Sequence, residues 1–272
     1  MNMQELSKHI FDTAELRKVF VADLEGTPQE SKQHRAVYNI NKGQIAAVVS
    51  DRYKLVQHGE MVRAVAAAIS DLNIKATAEV KEANNKLFVD IEFADSKLYV
   101  DKGEEFIAGL RIINSYDKST GITVTPRLKR LVCLNGMVIQ TGFVREYSIT
   151  HIKSLREDFS AVVEKMLNAM INNNEKLKAM VNDCIGDSIE WELLDKILSK
   201  LCLCWHTTKH IDAIKKKLAE IEKPTRWDVY NAFTNYATHG EHIKPNVEAE
   251  LQKRANKLLV TPLKILVPVE VN

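Results

Sequence analysis

The sequence predicts an α+β protein, with an N-terminal, mostly antiparallel β-sheet carrying one or two helices and a C-terminal helical module. Three observations lead there. Up to about residue 150 the chain is a series of short β-branched or alternating runs separated by turn residues. Beyond that point apolar residues return every three or four positions, the period of an amphipathic helix. The 272 residues, 45% hydrophobic and 27% charged, can bury a sizeable core, which excludes a disordered tail, a collagen-like fibre and a disulfide scaffold. The change of texture divides the chain into a sheet domain, residues 1–152, and a helical module, residues 153–272, with a soft boundary near 150–157.

Taken in order, TAELRKVF reads as a short helix and GQIAAVVS as a strand. HGEMVRAVAAAISDL is a second helix, because Met61, Val65, Ala68, Ile69 and Leu72 form an apolar stripe. IKATAEVKEA and KLFVDIEF are strands joined by a turn at Asn84-Asn85. In the second of them Leu87, Val89, Ile91 and Phe93 alternate with Asp90 and Glu92, the pattern of a half-buried strand. EEFIAGLRIINS, GITVTPRLKR and MVIQTGFVREYSI continue the sheet. Helices are expected at FSAVVEKMLNAMINNNEKLKAMV, SIEWELLDKILSKLCLCW, TTKHIDAIKKKLAEIE, TRWDVYNAFTNYATH and NVEAELQKRANKLL, with Thr225 capping the fourth. LKILVPVEV reads as a last strand returning to the sheet, held to an edge by Pro268.

Several classes fall away. No apolar run approaches the roughly 20 residues that cross a bilayer, and MNMQELSKHIFDTAELRK lacks the apolar stretch of a secretory signal; no membrane partner and a cytoplasmic location are expected. Cys133, Cys184, Cys202 and Cys204 then read as reduced thiols. No P-loop, no dinucleotide fingerprint and no nucleophilic triad is present, so no cofactor and no catalytic residue is assigned. A net charge of +2 rules out a polycation, and any binding to nucleic acid requires cations gathered locally.

They are gathered in the middle. Between Arg111 and Arg156 lie Arg111, Lys118, Arg127, Lys129, Arg130, Arg145, Lys153 and Arg156, opposed only by Asp117 and Glu146. That segment is +6 and the rest of the chain −4. Basic strands on an otherwise acidic protein suit a groove that tracks phosphates and releases their counterions; a solvated sheet face with scattered cations is the alternative. The groove's turns are Asn114-Ser115-Tyr116-Asp117-Lys118-Ser119, rich in side chains that bond their own backbone, and Asn135-Gly136, a hairpin signal.

The run from Asn114 to Ser119, followed by Arg130-Leu131-Val132-Cys133-Leu134-Asn135-Gly136, resembles the signature of a family of phage- and plasmid-associated proteins known as domain of unknown function 932. Two further stretches are similar to it: Ser50-Asp51-Arg52-Tyr53-Lys54-Leu55-Val56, read as a basic-aromatic strand, and the helix from Arg226 to His239 with Trp227, Asn231, Thr234, Tyr236 and His239. The likeness spans roughly residues 35 to 240. It implies no catalytic residue and no settled activity. A basic sheet followed by helices is by analogy the architecture of phage single-strand annealing proteins, and fold-level analogy is a weak warrant for function.

The resulting expectation is sequence-independent binding of single-stranded DNA, and strand annealing, by a homo-oligomer associating through the helical module. Arg111, Lys118, Arg127, Lys129, Arg130 and Arg145 would contact phosphates, and Tyr53 or Tyr116 would stack on bases. Asn114, Asp117 and Asn135 would shape the turns that present these cations, with Ser115, Ser119, Cys133 (an inert thiol in an apolar strand run) and Gly136 as further motif residues, and Asn231 and His239 buttressing the Asn114–Asp117 turn. Trp227, Tyr230 and Phe233 read as packing residues or, alternatively, as stacking platforms. Two other readings stand beside this one: a non-enzymatic protein-interaction factor, and a metal-dependent nuclease using Asp90, Glu92 and Lys97. Cys202, Cys204, His206 and His210 form a string that could hold zinc only across a helix break near Trp205.

Overall fold

The computed structural model describes residues 1–100, 104–130, 136–138, 147–149, 155–172, 174–201, 207–241 and 243–266. Along the chain come α1 (Met3–Lys8), β1 (Ala14–Ala22), β2 (Pro28–Asn39), β3 (Gln44–Ser50), α2 (His58–Asp71), β4 (Ala76–Ala83), β5 (Lys86–Val100), β6 (Glu104–Ser115), β7 (Ile122–Arg130), β8 (Gly136–Val138) and β9 (Tyr147–Ile149). The helices α3 (Leu155–Asn172), α4 (Asn174–Gly186), α5 (Trp191–Leu201), α6 (Thr207–Leu218), α7 (Arg226–His239), α8 (Pro245–Val260) and α9 (Leu263–Leu266) follow. The α+β class is as the sequence predicts. β1-β2-β3 form a three-stranded antiparallel sheet; the second sheet runs β4-β5-β6-β7-β8, with β9 on β7. The chain forms two compact units, each discontinuous in sequence. Unit 1 holds Met1–Asp95, Leu110–Val124 and Glu146–Lys165; unit 2 holds Ser96–Gly109, Thr125–Arg145 and Met166–Asn272.

In unit 1 the stripe of α2 is buried at Met61, Val65, Ala68 and Ile69, and Leu87, Val89, Ile91 and Phe93 of β5 are buried as their alternation requires. The β4–β5 hairpin closes from Ala83 to Lys86, with Asn84 at φ 57°, a left-handed turn position that Asn tolerates. The helix expected at TAELRKVF is instead strand β1. Helix formers begin it, but Val19-Phe20-Val21 favour extended backbone, and pairing with β2 from Ala14↔Asn39 to Ala22↔Pro28 decides the outcome. β2 reaches past β3, which pairs only His34–Asn39, so the far ends of β1 and β2 form a two-stranded arm. The stretch Asp51–Val56, read as a strand, is a turn and irregular chain between β3 and α2.

Unit 2 is helical around β-strand segments. Its core gathers Phe106, Ala108 and Leu128 with Val181, Leu194, Ile197, Leu198, Trp227, Tyr230, Phe233, Leu251 and Leu258. Thr225 caps α7 as expected: its hydroxyl accepts from the Asp228 amide at 3.1 Å, and the Asp228 carboxylate accepts from the Thr225 amide at 2.8 Å, a reciprocal capping box. The expected last strand begins as the helical turn α9, which starts just after Pro262, a residue suited to opening a helix; residues 267–272 lie outside the described part. Among the described residues no helix is long and apolar enough to cross a membrane.

Candidate nucleic-acid interface

The signature turn after β6 is tied inward as well as to itself. Asn114 donates through Nδ2 to the Val56 carbonyl at 3.2 Å and meets His58 Nδ1 at 3.1 Å. The Ser115 hydroxyl donates to the Thr120 carbonyl at 2.6 Å and receives the Thr120 amide at 3.2 Å. Tyr116, wholly buried, stacks on the His58 ring at 3.9 Å between centroids. Its hydroxyl accepts from the His58 amide at 2.9 Å and lies 2.9 Å from the Asp12 carbonyl and 3.2 Å from Gln57 Oε1. The Tyr116 amide donates to the Asn85 carbonyl at 2.8 Å, while Asn85 Oδ1 receives Asn39 Nδ2 at 3.0 Å. One hydrogen-bonded chain thus links β2, the β4–β5 hairpin, the start of α2 and the signature turn.

The electrostatics follow from burial. His58 is pushed down to about 4, first by desolvation and then by Lys42, with Asp12 opposing, so it stands neutral at neutral pH. Burial raises the Tyr116 phenol far above its ordinary value. Burial would also raise Asp117, but hydrogen bonds from the Ser119 hydroxyl and amide, with the charge of Lys86, outweigh it and hold the carboxyl below its usual value. Asp117 and Ser119 therefore shape the turn.

The cations separate into two groups. Arg111 is 3% exposed and gripped by Asp90, with Nε–Oδ1 at 2.6 Å and Nη2–Oδ2 at 2.7 Å. Arg127, on β7 opposite Val138, is 4% exposed. Neither guanidinium lies on a surface a phosphate can reach, and the buried ring of Tyr116 has no face for a base. These three assignments are corrected for one reason: charge and aromaticity count residues, while burial depends on what covers each strand. Lys129 is half-buried, Arg130 closes β7 with its side chain outside the described part, and Arg145, Cys133 and Asn135 also lie outside it. Gly136 opens β8.

Lys118 is exposed, at φ 61°. In the same unit Arg52 and Lys54 are exposed on either side of half-buried Tyr53, whose ring packs with Ala14, Val37, Val49 and Tyr116. Burial, then the nearby Asp117 carboxylate, raises the Tyr53 phenol, which sets Tyr53 beside the signature turn. Sequence reasoning assigned phosphate contact to neither Arg52 nor Lys54. The available signal was the run Ser31–Leu55, with Lys32, Arg35, Lys42, Arg52 and Lys54 against Asp51 alone. Of these, Arg35 lies 3.9 Å from Glu30 and Lys42 3.3 Å from Asp12.

Trp227 and Tyr230 are buried and stack at 5.4 Å, with Phe106 edge-on to Trp227 at 6.2 Å; with buried Phe233 they are packing residues. The Thr234 hydroxyl donates to the Tyr230 carbonyl at 3.0 Å. Asn231 is half-buried and His239 exposed on α7 of unit 2, whereas the Asn114–Asp117 turn belongs to unit 1. The nuclease reading loses its first ligand, since Asp90 is neutralised by Arg111, and Lys97 lies 3.8 Å from Glu105. His210 is buried with Nδ1 2.8 Å from the Tyr236 hydroxyl, and Cys202, Cys204 and His206 lie outside the described part. Among the described residues no group of three His, Cys, Asp or Glu is placed to hold a metal ion.

Fold and site together define an α+β protein whose signature turn is an internal polar latch flanked by exposed cations. The family described as Domain of unknown function (DUF932) matches residues 46–259, and the chain belongs to that family. No curated protein and no solved structure matches it.

Proposed function

We propose that this protein binds single-stranded DNA without reading its sequence, through a face of unit 1 centred on Tyr53 rather than through the strands around Arg111 and Arg127. One observation carries the reading: Arg52, Lys54 and Lys118 are exposed around half-buried Tyr53, and none of the three is ion-paired among the described residues. Phosphates gain from such cations by releasing counterions, and a partly exposed phenol offers a face on which any base can stack. Annealing, and the homo-oligomer that would align two strands, extend the same proposal. A second reading, a protein-interaction factor, draws support from Phe20, Val21 and Leu24, apolar side chains exposed on the β1–β2 arm.

Fluorescence anisotropy with labelled oligothymidylate and a mixed-sequence oligonucleotide of equal length tests the proposal. The expected result is similar affinity for both, falling steeply between about 50 and 200 mM salt. The R52A/K54A/K118A variant then weakens binding to both alike and flattens the log–log salt slope by about 2, at roughly 0.7 per lost phosphate contact. Undetectable or salt-independent binding, or an unchanged triple variant, overturns it. Loss of a protein partner in F20S/L24S without any oligonucleotide binding in the parent favours the second reading.

A further inference from the structure

Sheet edges invite pairing with other chains unless something blunts them, and two edges in unit 1 are blunted in different ways. At β4, the Met1 ammonium donates to the Ala78 carbonyl at 2.9 Å, the Ala78 amide donates to the Met1 carbonyl at 2.8 Å, and Asn2 bridges to Thr77. β1 carries Glu15, Arg17 and Lys18, with Arg17 on Glu15 at 2.6 Å, Lys18 on Glu30 at 2.8 Å and a register shift between Lys18 and Phe20.

β3 is different. Gln-Ile-Ala-Ala-Val-Val-Ser contains neither charge nor proline. It pairs with β2 on one side, and among the described residues Ile45–Val49 make no backbone bond beyond that pairing. Ile45 and Val48 are 61% and 49% exposed. They share a face with their partners Tyr38 and Ala36, where the Arg17 guanidinium lies 3.4 Å from the centre of the Tyr38 ring. The one irregularity is the extra residue at Ala46, between Ala47↔Val37 and Ile45↔Tyr38.

We propose that β3 is a self-association edge: it pairs antiparallel with β3 of a second copy, making one six-stranded sheet across a two-fold axis. A row of unpaired amides and carbonyls is met in full only by another extended strand. A second copy fits it because an antiparallel two-fold that keeps both outer faces on one side must pair residues of the same facing. Centred on Val48, it sets Val48 against its own equivalent and Ala47 against Val49. With no charge in the strand, no like charges are opposed, and the two exposed valines cover each other. The contact is short, so association belongs to the weak, concentration-dependent class. This assigns oligomerisation to unit 1 instead of the helical module, and it is independent of DNA binding because it is measured without DNA.

Sedimentation velocity on the full chain, from low to high micromolar concentration, reads the association. The parent is expected to shift from monomer to dimer, while V48K and V48E, checked for native circular dichroism, each weaken dimerisation at least tenfold. An equimolar mixture of the two variants restores it, because the two-fold brings opposite charges together. Hydrogen exchange of the parent gives a second readout, with protection of residues 44–50 rising as concentration rises. A parent that stays monomeric, variants that dimerise like the parent, a mixture that does not re-associate, or exchange at 44–50 independent of concentration overturns the proposal.

Discussion

Asp90 and Arg111 face each other across neighbouring strands as a two-pronged ion pair, both side chains 3% exposed. Each charge is tolerated in the interior because the other is there. Removing one partner strands the other, so D90N is expected to destabilise the protein by about 3–5 kcal/mol. Replacing both together by apolar residues of similar volume, as in D90L/R111M, is expected to cost much less. Urea denaturation of the two variants beside the parent measures this. Equal losses in both would mean that the pair acts through packing alone.

His58 makes stability depend on pH. Its folded value of about 4 lies below the ordinary 6.5, so the unfolded chain binds the proton more readily between those values. The stabilisation is complete above about pH 6.5 and is lost as pH falls toward 4. At roughly 1.4 kcal/mol per pH unit, moving from pH 6.5 to 5 removes about 2 kcal/mol. Urea midpoints at the two pH values check the figure. In H58N this part of the pH dependence is expected to vanish, whatever that variant's absolute stability, and a slope equal to the parent's would place the titration elsewhere.

Alternation made one face of β5 legible, since Leu87, Val89, Ile91 and Phe93 repeat every second residue and are buried. The half-buried pattern gave the other face to solvent, and there it failed: Phe88 and Asp90 are buried too, because the partner that makes this possible for Asp90 lies 21 residues further along the chain. β2 was invisible for the opposite reason. Pro28–His34 are almost all exposed, so no apolar period marks this half of the strand, and pairing with β1, joined by β3 only from His34 on, defines it. The same blindness moved the candidate interface. Charge counting found Arg111 and Arg127 but could not see that folding buries them, while Arg52 and Lys54 were quoted only as part of a family likeness.

Tyr116 separates a latch from a stacking platform. Its hydroxyl serves the His58 amide at the first turn of α2 and lies 2.9 Å from the Asp12 carbonyl. Y116F keeps the ring stack on His58 and leaves that buried amide without its acceptor, at an expected cost of about 1–3 kcal/mol. Affinity for an oligonucleotide is expected to stay at the parent level, whereas Y53A reduces it, by about 1–3 kcal/mol if one base stacks there. Anisotropy and thermal denaturation on both variants test the division; weakened binding in well-folded Y116F would return Tyr116 to the interface.

Lys118 allows stability and binding to be moved in opposite directions. At φ 61° its backbone sits in the left-handed region, where a side chain costs about 1–2 kcal/mol and glycine costs nothing sterically. Glycine returns part of that gain as unfolded-state freedom, so K118G is expected to be more stable than the parent by about 0.5–1 kcal/mol. K118A keeps the strain and gains nothing. Both variants lose the same cation, so both are expected to bind oligonucleotide more weakly, with salt slopes lowered by about 0.7. A K118G protein that is stabilised yet binds as tightly as the parent would remove Lys118 from the interface while leaving the description of its backbone intact. Equal stability of K118G and K118A would refute the strain argument.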